Sequence, residues 1–168
     1  MTIREYIQLR NITEMYKTEE EIVKALLSEN KHLKLKEAKE VITSYYEDIV
    51  DEKDVLIQKF KIDGVEYGLI PSFEDISTAE FLDISNYEND PMSIHRLMAI
   101  LYRPIKKSAY NYYSIEDYEG SYKYRDVMLD VDYKIYKSAV GFFLTLSEIC
   151  LKDLHTSTME KIQKEKVK

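Results

Sequence analysis

The chain has no tryptophan, one cysteine, three prolines and four glycines in 168 residues. The single Cys150 excludes an internal disulfide and any zinc site built on cysteines, and it suits a reducing compartment. Four scattered glycines cannot build a phosphate-cradling loop, a dinucleotide fingerprint or a nucleophile elbow. Scarce glycine and proline also favour helices joined by short connections. No apolar run approaches the ~18–20 residues of a membrane-spanning helix. Met1 to Arg10 carries Arg4 and Glu5 where a secretory signal would be apolar, so no such signal is expected. A basic patch is missing too. Net charge is −7, from 24 Lys and Arg against 31 Asp and Glu, which argues against nucleic acid as a partner. The one basic concentration, Lys161 to Lys168, reads as a solvated helix end.

What the chain does have is tyrosine, 15 residues against five phenylalanines. A tyrosine joins a large apolar body to a polar tip, so it serves equally at the edge of a small core and at an interface. With 45% hydrophobic and 33% charged residues the composition is that of a soluble globular protein. The length fits one domain, 1–168, with no repeat or flexible linker. Within it we distinguish a helical N-terminal part (about 1–52), a hairpin with a helical core (about 55–155) and a solvated tail (about 156–168). The fold class expected is α+β, mainly α.

Capping-box spacing marks three helix starts, Thr2 with Glu5, Thr18 with Glu21 and Ser77 with Glu80. Ile76 and Phe81 add staple positions to the third. Helix one is expected over Ile3 to Arg10. Helix two carries Ile22, Val23, Leu26 and Leu27 on one side. Helix three has Ala38, Val41, Ile42, Tyr45 and Ile49 as an amphipathic stripe, and Asp51 to Asp54 is a charged break. The period then changes to two. Asp63-Gly64 between alternating segments predicts a tight hairpin over about 57–70, because a type I′ turn needs positive φ at both corners. A two-residue turn sets the register: Ile62 faces Val65, Phe60 faces Tyr67, and Lys61 faces Glu66 on the wet side. Asp90-Pro91 opens a helix with the stripe Ile94, Leu97, Met98 and Leu101, expected to stop at Pro104. Lys106 to Ile115 is consistent with a strand or an ordered loop. A brief helix is expected around Tyr122 to Leu129. A long terminal helix follows, with Ile135, Ala139, Phe142, Phe143, Leu146, Ile149, Cys150 and Leu154 as its stripe.

Chemistry is sparse. His32, His95 and His155 are far apart, and none has a second ligand at metal-binding spacing. Cys150 sits within an apolar stripe, where a thiol behaves as a small hydrophobe. Acidic pairs such as Glu74-Asp75 and Glu116-Asp117 are expected on solvated faces of so acidic a chain. Tyr110, Tyr112, Tyr113 and Tyr118 cluster among polar residues, and they are the candidate protein-interaction residues. Lys106 and Lys107 nearby echo aromatic–cation binding of single strands, but the global charge opposes that use.

The segments "FKIDGVEYGLIP", "ISTAEFLDI", "IHRLMAILYRPI", "YSIEDYEGSYKYRDVML" and "SAVGFFLTLSEICL" resemble small virion-assembly proteins of tailed bacteriophages, some of them tail-assembly-chaperone-like. The likeness covers roughly Phe60 to Leu151 and rests on patterns of apolar and aromatic residues. It implies a non-enzymatic protein acting by protein–protein contact on tail or capsid components, in the host cytoplasm during assembly or in the virion. It implies no cofactor, no membrane and no catalytic or metal residues, and leaves homo-oligomerisation open. Two other classes are weighed against it. An acidic inhibitor of a host protein would gather carboxylates on one face; a small metal-dependent carboxylate enzyme would bind magnesium, manganese or zinc.

Overall fold

The computed structural model describes residues 1–50, 55–72, 76–110 and 112–141. Three helices come first: α1 (Ile3–Met15), α2 (Glu19–Glu29) and α3 (Leu35–Val50). The first two begin at the expected caps. Thr2 Oγ1 accepts from the Glu5 amide at 3.2 Å while Glu5 returns a carboxylate to the Thr2 amide at 2.8 Å, and Thr18 with Glu21 repeats the exchange. Each exchange satisfies amides that the first turn leaves without partners. Helix α1 runs past Arg10 to Met15 because Ile12 continues the buried series Ile3, Tyr6 and Leu9. Its stripe meets Ile22, Val23 and Leu26 of α2 and Ala38, Ile42 and Tyr45 of α3 in one hydrophobic cluster.

The N-terminal segment is sewn to the far end of the described chain. Thr2 bridges Asp132, and the Ile3 and Arg4 amides donate to the Val131 and Leu129 carbonyls at 2.9 and 2.8 Å. Residues 133–141 are helical and form α7, within the span expected to be one long terminal helix. The rest of the stretch expected to be helical, Cys150 and the lysine-rich tail lie outside the described residues. Tyr133 stacks on Tyr6 with ring centroids 4.0 Å apart, and Tyr45 lies 5.6 Å from Tyr6. Burial pushes the Tyr133 and Tyr136 hydroxyls up, Tyr136 to about 12. Much of the tyrosine excess therefore builds the core.

The hairpin forms as predicted, β1 (Lys59–Ile62) against β2 (Val65–Leu69), in the expected register. Asp63 and Gly64 have φ of 49° and 79°, the two positive corners of a type I′ turn. It is not alone. Of the two alternatives for Lys106 to Ile115 the strand forms: β3 (Tyr102–Ala109) runs into it and β4 (Tyr112–Ile115) ends it, and the four strands pair antiparallel in the order β1-β2-β3-β4. Between the hairpins run α4 (Thr78–Tyr87), a 3₁₀ turn (Pro91–Ser93) and α5 (Ile94–Leu101); α6 (Arg125–Met128) follows β4, a shorter helix than expected.

Pro104 does not end α5. The helix stops at Leu101, and Pro104 lies inside β3 opposite Tyr67. Its carbonyl accepts from the Glu116 amide at 3.0 Å, so its backbone faces β4 at the end of that ladder and the missing N–H takes no bond from β2. Helix α5 is buried nearly all round (Ile94, Leu97, Met98, Ala99, Ile100, Leu101). Phe60, Tyr67 and Tyr102 alternate onto one sheet face, with Phe60 on Tyr67 at 5.5 Å and Tyr67 edge-on to Tyr124 at 5.8 Å. Gly68, Arg103, Tyr113 and Ile115 occupy the opposite face.

Candidate functional site

The strand alternation separates the four candidate tyrosines. Tyr110 stands at the tip of the β3–β4 hairpin, fully exposed, with φ of 53°. Tyr112 follows at 83% exposure. Tyr113 turns to the other face and lies on the Gly68 backbone, where a Cβ would meet its Cδ2 at 2.9 Å and Ile105 Cγ1 at 3.1 Å. Its hydroxyl donates to the Leu69 carbonyl at 2.7 Å, and Lys59 Nζ sits 4.5 Å from its ring centre. Tyr118 folds back to donate to the Asp83 carboxylate. Tyr113 and Tyr118 are thus structural anchors and Tyr110 and Tyr112 remain displayed. The register shift between Ile105 and Lys107 separates the root of the hairpin from its tip.

At the hairpin root, under α4, lies an unforeseen feature. The fully buried member of α4 is a carboxylate, Glu80, 6% exposed, and it faces Arg103 of β3, also 6% exposed. Glu80 Oε1 meets Arg103 Nη2 at 2.6 Å. The other oxygen, Oε2, accepts from the Ser77 amide at 2.8 Å and the Ser77 hydroxyl at 2.6 Å. Burial pushes the Glu80 carboxyl up, but the Ser77 bonds and the guanidinium outweigh it and hold it below the usual carboxylate range. The staple expected at Phe81 does not form: Phe81 is 62% exposed, and Leu82 beside it is exposed as well. Helix α4 packs Ile84 and Tyr87 against the core and is also tied down by polar links, Glu80 to Arg103, Asp83 to Tyr118, and Tyr87 under the Arg96 guanidinium at 5.5 Å.

A cleft of about 390 Å³ opens between α4 and the β3–β4 root. Ile70, Pro71, Ile76 and Ile115 form its apolar walls; Glu80, Arg103, Glu116 and Asp117 supply its charge. The rim carboxylates are engaged, Asp117 with Lys106 at 2.8 Å, Glu116 with Lys123 at 3.0 Å and with the Tyr124 hydroxyl. Tyr124 and Lys123 hold the Glu116 carboxyl below its ordinary range, and Lys106 does the same for Asp117.

His95 is half-buried on α5, and burial together with Arg96 and Arg125 holds its imidazole below the ordinary value. Among the described residues no group of three or more His, Cys, Asp and Glu side chains is placed to hold a metal ion. Nor, among them, is any helix long and apolar enough to cross a membrane. Sequence reasoning missed Glu80, Arg103 and Gly68. The capping-box pattern explains Glu80 completely without a partner 23 positions away, whereas a glycine inside strand β2 does signal close approach by another group. No family model, curated protein or solved structure matches the chain.

Proposed function

We propose that this protein works without catalysing a reaction, by binding other proteins, with the β3–β4 hairpin tip as its contact element. The supporting observation is Tyr110. A bulky side chain in the left-handed region costs about 1–2 kcal/mol relative to an ordinary backbone, and this one recovers nothing by burial, since it is fully exposed. Folding alone would favour glycine or asparagine at that corner. A displayed aromatic pair, Tyr110 and Tyr112, is the type of anchor that dominates protein interfaces. The setting is the one the sequence resemblance implies, assembly of a bacteriophage particle, as a tail assembly chaperone or minor virion component in the host cytoplasm.

The test is affinity capture from infected cells with the wild type and a Tyr110→Gly/Tyr112→Ser variant. The wild type should retain a tail or capsid protein, and the folded variant should lose it. Equal retention by both moves the contact away from the hairpin; recovery of the wild type alone, without a virion component, removes the reading. A second reading, an acidic inhibitor of a host protein, draws on α4. In sequence, Glu74 to Asp90 carries six acidic residues and no basic one, and Phe81 and Leu82 of α4 are exposed. It requires capture of a basic host protein that weakens steeply with salt.

A further inference from the structure

The sheet has two edge strands, β1 and β4, and they are built differently. Strand β1 carries Lys59 and Lys61, and lysines along an edge discourage pairing with another chain. Strand β4 reads Tyr112-Tyr113-Ser114-Ile115, with no charge, proline or glycine, and Tyr112 and Ser114 are exposed. The Glu116 amide donates to the Pro104 carbonyl at 3.0 Å, so Glu116 turns its backbone toward β3. Backbone direction alternates along an antiparallel strand, which sends the N–H and C=O groups of Tyr113 and Ile115 outward. Among the described residues no strand lies beyond β4 to receive them.

A second copy of the chain fits that edge. A two-fold axis through Ser114, normal to the sheet, pairs β4 antiparallel with itself. Tyr113 then stands opposite Ile115 of the second copy, where outward backbone groups meet and hydrogen-bond. Each such pair joins an aromatic to a β-branched side chain on one face, a favourable cross-strand combination. Ser114 meets Ser114 and Tyr112 meets Glu116, so no like charges stand opposite each other. Charge favours the same partner. Lys106 to Ile115 holds two lysines and no acid, and Glu116 and Asp117 follow directly. Antiparallel pairing lays the acidic root of each copy alongside the lysine-bearing hairpin of the other. There Lys107 is exposed and has no ion pair among the described residues. Asp117 is 90% exposed despite its bond to Lys106, so its charge still attracts a second cation. We propose that β4 pairs with β4 of a second copy, joining the two sheets into one. The proposal does not rest on the contact reading above.

Sedimentation equilibrium of the full chain over a concentration series tests it, together with hydrogen exchange read at single amides. The wild type should pass from one chain mass to two, and the Tyr113 and Ile115 amides should gain protection as it does. The Ser114 amide, which alternation points at β3, should not change. Ser114→Glu sets like charges against each other across the axis while facing Lys107 favourably within its own hairpin. It should weaken the dimer at least about tenfold without loss of stability. Ser114→Lys should weaken it as well, and an equimolar mixture of the two variants should restore the dimer, because opposite charges then meet on the axis. A wild type that stays monomeric, folded variants that dimerise as it does, or a mixture of folded variants that stays monomeric would each overturn the proposal. So would protection of Tyr113 and Ile115 that appears only when another protein is added, since the occupant of the edge would then be a foreign strand.

Discussion

The sheet contains two hairpins whose turns differ in purpose. In the first, Asp63 and Gly64 supply the two positive-φ corners with residues suited to them, and nothing lies within 4 Å of a Cβ added at Gly64. The second places a tyrosine at a positive-φ corner and leaves both it and Tyr112 in solvent. The first hairpin is what a stable sheet requires. The second departs from local preference at its tip while anchoring itself at its root through Tyr113, Gly68 and the Arg103–Glu80 pair. A departure from local preference with no packing return is where a function is sought.

The sharpest way to break the comparison is at the root. Glu80→Ala leaves Arg103 buried without its counter-charge and should lower stability by about 3–5 kcal/mol, read as a lower urea midpoint. The double variant Glu80→Ala/Arg103→Met should recover much of that loss, because the uncompensated charge is gone. Acid reports on the same pair. Glu80 binds its proton less readily when folded, so its contribution is full above the unfolded carboxylate value of about 4.3 and is lost as pH falls through the lower folded value. Stability curves of the wild type should therefore fall more steeply on acidification than those of Glu80→Gln.

Next in size is Gly68→Ala. The added methyl meets the Tyr113 ring and Ile105, and overpacking of that kind costs about 1–3 kcal/mol. A thermal melt measures it, and loss of Tyr113 protection from surface labelling would show that the ring had lifted. At the first turn, Gly64→Ala meets open space and should lose only about 1 kcal/mol, from the left-handed backbone. The smallest effect has the opposite sign. Tyr110→Gly should stabilise the fold by about 0.5–1 kcal/mol, the relief of φ less the entropy of glycine. A destabilised Tyr110→Gly would mean that the tyrosine serves the fold and not a partner.

Much of the architecture was readable because it depends on neighbours in sequence. The three capping boxes, the Asp63-Gly64 turn with its register, and the stripes of α2, α3 and α5 each lie within a few residues. The expectations that needed correction involved distant partners. Ile76 and Phe81 have staple spacing, yet Glu80 is drawn to Arg103 and Phe81 faces water. Pro104 reads as a helix stop until β3 forms with its β4 ladder beginning only at Ile105, so that the missing N–H falls at the ladder's end. The site was half legible: the tyrosine cluster stood out, but which tyrosines are displayed depends on strand alternation and on the register shift before Lys107.

The sequence by itself determined where helices start, where the first hairpin turns and in what register, since caps, turn φ and apolar period are properties of a few adjacent residues. Only the tertiary structure decided that Tyr113 and Tyr118 are anchors, that Tyr110 and Tyr112 are displayed, and that β4 is an edge strand of the sheet. Those outcomes depend on which strand lies beside which and on how deeply water is excluded, and no local pattern carries either.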